Sequence, residues 1–183
     1  MKNTTQTINQ SVWEHGESVT NYMFDLLDHL QKGTPLKYEW KLPTWIYDPM
    51  LLKNIPHHDT IKLYTLYHDC GKPYCIEYDN EGKRHFPNHS EVSYNTFKKH
   101  FDNDVSAELI RRDMDFHLLK SEDMDLFAQY EYSTLLILSA LSEIHSNSTM
   151  FGGMDSISFK IKWKHTNKRG RQIIEKIGGI SHH

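Results

Sequence analysis

The spacing of apolar residues along the chain predicts a series of amphipathic helices, and the first is the clearest. It opens at Ser11-Val12-Trp13-Glu14, where a serine followed three residues later by a glutamate is typical of a capping box. Apolar side chains then recur every three or four residues, which places them on one helix face. They are Val19, Tyr22, Met23, Leu26 and Leu30. Gly33 and Pro35 are typical of a helix end, so the pattern predicts a helix to about Gln31.

The following stretch is rich in prolines and aromatic residues. Residues 33–58 therefore predict a loop with one short helix around Asp48–Lys53. Asp59 is expected to cap a second helix, Thr60–Cys70. Gly71 is expected to take the left-handed conformation that ends many helices.

The second half of the chain predicts one short hairpin and several further helices. Residues 74–86 alternate around the turn sequence Asp79-Asn80-Glu81-Gly82, which is typical of a small hairpin or an extended loop. The helices expected next are one capped by Asn88, one capped by Asp104 and reaching Phe116, a short acidic one at Ser121–Gln129 and a buried one at Leu135–Ile144. Ser158–Lys164 then alternates like a strand or an amphipathic edge, and a short helix near Gln172–Ile177 is possible.

Composition is typical of one soluble globular domain. The 183 residues are 38% hydrophobic and 25% charged, and no run approaches the about 20 apolar residues of a membrane span. The first residues lack the apolar core of a signal peptide. Cys70 and Cys75 form a single C-x4-C pair, which argues against a zinc knuckle and favours a reduced, cytoplasmic setting. His182 and His183 end the chain and are interpreted as remnants of a purification tag.

Charge is distributed unevenly along the chain. Residues 1–154 carry a net charge of −8, whereas residues 155–183 carry +5. This contrast predicts a helical domain over residues 1–154 and a basic C-terminal extension over residues 155–183, packed on that domain or trailing from it. A basic tail indicates contact with phosphate or nucleic acid, and a solvated terminal segment is an equally open interpretation.

Histidine and carboxylate side chains recur at positions that predict a metal site. His68 and Asp69 are adjacent, and a metal ion is the simplest object that needs a neutral imidazole beside a carboxylate. His15 lies one turn before Val19 on the apolar face of the first helix, so it is expected to point inward. The full set of candidate ligands is His15, His68, Asp69, His89, His117 and Glu143. Such ligands suit Mn, Mg, Fe, Co, Ni or Zn.

The order of these residues resembles the HD-domain superfamily of metal-dependent phosphohydrolases. The pieces that carry the resemblance are SVWEHGESV with His15, LYHDCGKP with His68, Asp69 and Lys72, HFPNHSEVSYNTF with His89, DMDFHLLK with His117, and LSALSEIHSN with Glu143. The phenylalanine-proline-x-histidine piece looks most like the HD domain attached to bacterial tRNA nucleotidyltransferases. The family's late ligand is usually an aspartate preceded by alanine, whereas Ser142-Glu143 stands at that place here.

The resemblance implies an all-α bundle that binds one or two divalent metal ions. His15, His68, Asp69 and Glu143 would hold the first ion, while His89 and His117 would hold a second ion or contact the phosphate. In this scheme Asp69 aligns an attacking water whose pKa the metal lowers toward about 7.

Lys72 and the histidines His89 and His117 would act on the phosphate group. Lys72 would neutralise a phosphate oxygen, although a plain surface lysine is an equally open interpretation. His89 or His117 would protonate the leaving oxygen.

The expected function is hydrolysis of a phosphate ester in a nucleotide or oligonucleotide, by a phosphodiesterase or a phosphomonoesterase. The basic tail and the nucleotidyltransferase-like piece favour RNA ends or oligonucleotides as substrates. A nucleotide 5′-phosphatase or dNTP triphosphohydrolase is the alternative within this class. A non-catalytic, degenerate HD fold that binds a nucleotide or a protein partner is the alternative outside it. The sequence leaves the metal, the scissile bond and the oligomeric state open.

Overall fold

The chain is mainly helical, as predicted. The structure is a computed structural model that describes residues 1–7 and 10–181, so His182 and His183 lie outside the described residues. Its helices are α1 (Val12–Lys32), α2 (His58–Tyr67), α3 (His89–His100), α4 (Asp104–Arg111), α5 (Met124–Gln129), α6 (Ser133–Ser148) and α7 (Ile157–Ser181). The described strands form two small antiparallel pairs, β1 (Thr5–Thr7) with β2 (Gln10–Ser11) and β3 (Glu77–Tyr78) with β4 (Arg84–His85). The all-α prediction and the predicted hairpin are both confirmed.

The chain divides into two compact units. The first contains Met1–Thr20 and His57–Met114, and the second contains Asn21–Pro56 and Asp115–His183. Among the described residues, no helix has both the length and the apolar character that crossing a lipid bilayer requires.

The first unit is built where α1 meets α2. The Ser11 hydroxyl accepts a hydrogen bond from the Glu14 amide at 3.0 Å, while the Glu14 carboxylate accepts one from the Ser11 amide at 3.2 Å. This is the predicted capping box. Gly16 allows the two helices to approach closely, because a Cβ there would lie 2.3 Å from the Leu66 carbonyl oxygen. The Thr20 hydroxyl lies 2.7 Å from that of Thr65, which ties the same two helices together.

Helices α2, α3 and α4 close the remainder of the first unit. Asn103 caps α4 by accepting a hydrogen bond from the Ser106 amide at 3.0 Å, and the Ser106 hydroxyl donates to the Thr60 carbonyl at 2.8 Å. The side chains buried between these helices are Ile61, Tyr64, Phe97, Leu109 and Ile110. Polar caps and an apolar core therefore fix α4 against α2.

The second unit is organised around α6, the predicted buried helix. Helix α7 packs against it, and the buried face of α7 carries Phe159, Thr166, Ile173 and Ile174. The positions 159, 166 and 173 recur every seven residues, which is a helical period and not a strand period. Ser158–Lys164 is therefore the first part of a 25-residue helix, and its prediction as a strand was wrong.

Two cap predictions were also wrong. His57, not Asp59, caps α2, because its Nδ1 accepts a hydrogen bond from the Asp59 amide at 3.2 Å. Helix α4 is capped by Asn103 and not by Asp104, and it ends at Arg111, ahead of the predicted Phe116.

Predictions at two further helix ends need correction. Asn88 occupies the predicted cap position of α3, but its backbone is left-handed and its side chain makes no capping hydrogen bond. Gly71 is not left-handed, since its φ is −83°. It is required for another reason: a Cβ at Gly71 would lie 2.3 Å from the Ser93 amide nitrogen.

His145 joins the loop after α1 to α6 within the second unit. Its Nδ1–H donates to the Leu141 carbonyl at 2.8 Å, and its Nε2 accepts from the Lys41 amide at 3.0 Å. An imidazole that accepts at Nε2 is neutral. Burial lowers the pKa of His145 to about 4, despite the opposing hydrogen bond to Leu141.

We expect His145 to make the protein less stable as the pH falls from about 6.5 to about 4. In this window the unfolded chain binds a proton at His145 and the folded chain does not, so the free energy of unfolding decreases by up to about 3 kcal/mol. Urea unfolding at pH 4.5 and pH 7 should show a smaller difference for His145→Gln than for the wild type. The exposed His100→Gln serves as the control and should keep the wild-type difference. Equal pH dependence in wild type and His145→Gln would contradict this account.

Candidate metal centre

The predicted pair His68-Asp69 lies in the turn that follows α2. Because the helix ends at Tyr67, the two adjacent side chains need not diverge by the about 100° of a regular helix. His68 Nε2 lies 3.4 Å from Asp69 Oδ2, and each side chain is almost fully buried. The polar atoms of the two side chains therefore lie close together in the interior of the first unit.

The orientation of His68 is set by a backbone group. Its Nδ1 lies 2.7 Å from the Thr65 carbonyl oxygen, which can only accept a hydrogen bond, so Nδ1 carries the proton. In the neutral ring the Nε2 lone pair then faces Asp69. A cation held by Nε2 would separate this lone pair from the carboxylate oxygen 3.4 Å away, whereas in the protonated ring the Nε2–H group faces that oxygen instead. The hydrogen bond from Nδ1 to the Thr65 carbonyl is of the kind that orients metal-binding histidines.

Asp69 is the common neighbour of the predicted residues in the first unit. His15 Nε2 lies 3.7 Å from Asp69 Oδ2, and His89 Nε2 lies 3.7 Å from Oδ1. The rings of His15 and His68 meet edge to face, with centroids 5.1 Å apart. His15 comes from α1 and His89 from the first turn of α3, so residues distant in sequence converge on one carboxylate.

The charges around Asp69 keep it ionised. Burial by itself would raise the pKa of Asp69, but the positive charges of His68, Lys72 and His15 and the hydrogen bond from His68 outweigh it. The pKa of Asp69 is therefore held well below its usual value. A carboxylate with so low a pKa acts as a ligand or an orienting acceptor at neutral pH and is a weak proton acceptor.

Lys72 is a buried member of this group and not a surface lysine. Its Nζ lies 3.0 Å from Asp69 Oδ2 and donates a hydrogen bond to Gln6 Oε1 at 2.9 Å. The ammonium group also lies 5.1 Å from the centroid of the Phe86 ring. The side chain is only 10% exposed, so the surface interpretation was wrong.

Asp113 is a further member that the sequence analysis missed. One donor atom each of His68, Asp69 and Asp113 lie within 4.8 Å of one another, a separation that a single cation can span. The Tyr64 hydroxyl donates a hydrogen bond to Asp113 Oδ1 and fixes that carboxylate. A signal was present in the sequence, because Asp113 follows Leu109 by four residues and so continues the apolar face of α4.

His117 and Glu143 lie in the second unit, where they form a pair. His117 Nε2 is 3.3 Å from Glu143 Oε2, and the two side chains are 20% and 16% exposed. Glu143 lies on α6, and His117 lies in the turn after α4. The expectation that Glu143 binds the same metal as His68 and Asp69 stays a prediction. So does the expectation that His117 binds a second metal or contacts the phosphate.

The donor set in the first unit fits a divalent metal. It combines the imidazoles of His15, His68 and His89 with the carboxylates of Asp69 and Asp113, which suits Mn, Mg, Fe, Co, Ni or Zn. The neighbouring thiol does not belong to it. Burial and the nearby carboxylate raise the pKa of Cys70 to about 12, and its Sγ–H donates to the Ser93 carbonyl at 3.3 Å.

Comparison with known proteins gives no information about this group of residues. No protein-family model, curated protein or solved structure matches the chain. The case for a metal centre therefore rests on Asp69 and the side chains that converge on it.

Asp113 and Tyr64 should support metal binding. We expect Asp113→Asn and Tyr64→Phe each to weaken Mn²⁺ affinity by roughly 10–100-fold, because groups that ligate or orient ligands have effects of that size. Isothermal titration of the metal-free protein with Mn²⁺, without substrate, measures this. Asp104→Asn, an exposed substitution in the first turn of α4, is the control and should leave the affinity unchanged. Unchanged affinity in both test variants would remove Asp113 from the centre.

Proposed function

We propose that the protein is a metal-dependent phosphohydrolase of the HD-domain type, which cleaves a phosphate ester in a nucleotide or oligonucleotide. The observation that carries the proposal is the buried Asp69 carboxylate with three histidines and one lysine within 3.0–3.7 Å. Its HD-x-GK sequence, the early His15 and the later His89 are the features shared with that superfamily.

Metal chemistry explains why this cluster would be maintained. Burying an ionised carboxylate costs several kcal/mol unless cations or hydrogen-bond donors compensate for it. A bound divalent metal supplies Lewis acidity, which lowers the pKa of a water ligand toward about 7 and stabilises charge on phosphate oxygens. Of the chain's own residues, the fully buried His15 and His68 are suited to holding the ion, since neither can reach a substrate in solvent.

His89 is the most exposed of these residues and is suited to contact with substrate. The His89 side chain is 21% exposed, against 3% for His68, so His89 is the histidine of this cluster that can meet a bound phosphate ester. There it can hold a proton near the leaving oxygen. Asp69 can orient the attacking water by accepting its hydrogen bond. Lys72, held by Asp69 and Gln6, places a positive charge where a non-bridging phosphate oxygen would be bound.

The alternative of a nucleotide 5′-phosphatase or dNTP triphosphohydrolase, which acts on a mononucleotide, is less well supported. Trp40 and Trp45, between α1 and α2, are the tryptophans that could stack on a base in that alternative, but the indole N–H group of each is hydrogen-bonded inside the second unit. Trp40 donates a hydrogen bond to Asp25 at 3.0 Å, and Trp45 donates to the Asn167 carbonyl at 3.0 Å. The non-catalytic alternative does not account for the convergence of His15, His68 and His89 on one carboxylate, because a binding module needs no such set.

Hydrolysis should depend on the buried His-Asp pair and on added metal. We expect His68→Asn and Asp69→Asn each to lower kcat/KM by at least 100-fold, because each removes a ligand and, for Asp69, the group that orients water. The assay follows release of an aryl alcohol from bis(aryl) phosphate and aryl phosphate, and release of phosphate from a nucleotide panel, with Mn²⁺, Mg²⁺, Co²⁺, Ni²⁺, Zn²⁺ or Fe²⁺.

Helix α2 offers a matched control for both substitutions. His58 and Asp59 are also adjacent, and their side chains are 64% and 79% exposed. His58→Asn and Asp59→Asn should keep wild-type turnover. Full activity in His68→Asn and Asp69→Asn, or no turnover of any of these substrates with any metal, would overturn the proposed function.

A further inference from the structure

Helix α7 carries a line of cations on its solvent face. Exposed side chains at 160, 164, 168 and 171 follow the i, i+4, i+8, i+11 spacing of one helix face. They are Lys160, Lys164, Lys168 and Arg171, here called the basic stripe. With a rise of about 1.5 Å per residue, the stripe is about 16 Å long. A strand over residues 158–164 would instead have grouped Lys160, Lys162 and Lys164, so the helix changes which cations act together.

Two of the other cations of α7, Arg169 and Lys176, have partners within the chain. Arg169 donates to Gln172 Oε1 at 3.0 Å, and Lys176 lies 2.5 Å from Asp125 Oδ1. Both lie roughly 120° around the helix from the stripe. By contrast, within residues 1–7 and 10–181 no hydrogen bond or ion pair engages the ammonium group of Lys160, Lys164 or Lys168. Lys160, Lys164 and Lys168 therefore present positive charge to solvent, and Arg171 adds a fourth cation that contacts Thr44 Oγ1 at 3.4 Å. Glu175, one turn after Arg171 on the same face, brings one negative charge to the end of the stripe.

The net positive charge is confined to the C-terminal part of the chain, and the remainder of the chain is acidic. Residues 1–154 carry −8, so they repel a polyanion, and the +5 of residues 155–183 is the part that attracts one. One strand of a nucleic-acid helix has one phosphate per about 3.4 Å of axis, so the stripe matches the length of about five phosphates.

We propose that the basic stripe of α7 binds the phosphate backbone of a nucleic-acid strand. Its role in holding a substrate rests on the proposed function, whereas the binding itself does not. A lipid surface fits less well, because an interfacial helix needs an apolar face along its length. The exposed apolar residues near the stripe, Ile157 and Ile161, occupy only its first turn, and the apolar face of α7 is buried.

Point substitutions test the stripe better than truncation, since removing α7 would also remove the buried Phe159, Ile173 and Ile174. The probe is a fluorescein-labelled 20-nucleotide RNA, followed by anisotropy in EDTA at 50–200 mM salt. The test variant is Lys160→Gln/Lys164→Gln/Lys168→Gln. Each phosphate contact contributes about 0.7 to the slope of log K against log salt, so the variant should lose about 2 from that slope and bind at least tenfold more weakly.

A control variant with the same change in net charge separates the effect of the basic stripe from the effect of total charge. Lys62→Gln/Lys99→Gln/Lys162→Gln removes three exposed lysines elsewhere, one of them on α7 itself. It should keep the wild-type slope. An equal loss in both triple variants, or no RNA binding by the wild type at 50 mM salt, would overturn the proposal. Stripe-dependent binding to vesicles with 30% phosphatidylserine, in place of RNA binding, would assign the surface to a membrane.

The EDTA condition keeps this result distinct from that of the proposed function. Asp69→Asn should bind RNA as the wild type does, because Asp69 is not in the stripe. RNA binding without any metal-dependent turnover would support RNA binding by the basic stripe and contradict the proposed hydrolase function. Turnover without stripe-dependent RNA binding would support the hydrolase function and contradict the role of the stripe.

Discussion

The buried charge of Asp69 is the constraint on which the first unit depends. An ionised carboxylate removed from water is stable only when cations or donors surround it, and loss of such partners costs about 3–5 kcal/mol. Lys72 supplies one positive charge at 3.0 Å. His15, His68 and His89 supply imidazole nitrogens within 3.7 Å. The same arrangement that makes this burial tolerable is one that a divalent cation would stabilise further.

The backbone of the first unit is shaped to bring these groups together. Two glycines permit close approach: a Cβ at Gly16 would meet the Leu66 carbonyl, and a Cβ at Gly71 would meet the Ser93 amide, each at 2.3 Å. The first glycine is next to His15, and the second is two residues after Asp69. The close packing of α1 on α2, and of the turn after α2 on α3, is therefore coupled to the positions of the candidate ligands.

Part of the local structure was predictable from the sequence, whereas individual contacts between distant side chains were not. The capping box at Ser11 and the inward position of His15 follow from contacts within one helix, and both were correct. Asp113 was missed because its carboxylate gains its place from Tyr64, a residue 49 positions away. The basic stripe on α7 was not predicted, because the alternation of residues 158–164 was interpreted as a strand. The seven-residue spacing of Phe159, Thr166 and Ile173, which indicates a helix, was not used.

Anomalous diffraction from crystals grown with MnCl₂ would show whether Asp69 binds a metal, because it locates the ion without requiring a substrate. The account predicts an anomalous peak within roughly 2.0–2.3 Å of His68 Nε2 and of an Asp69 carboxylate oxygen. Crystals that contain manganese elsewhere but show no peak beside Asp69, with the Lys72 ammonium still at about 3 Å from the carboxylate, would contradict it. Asp69 would then belong to a buried ion pair and not to a metal centre.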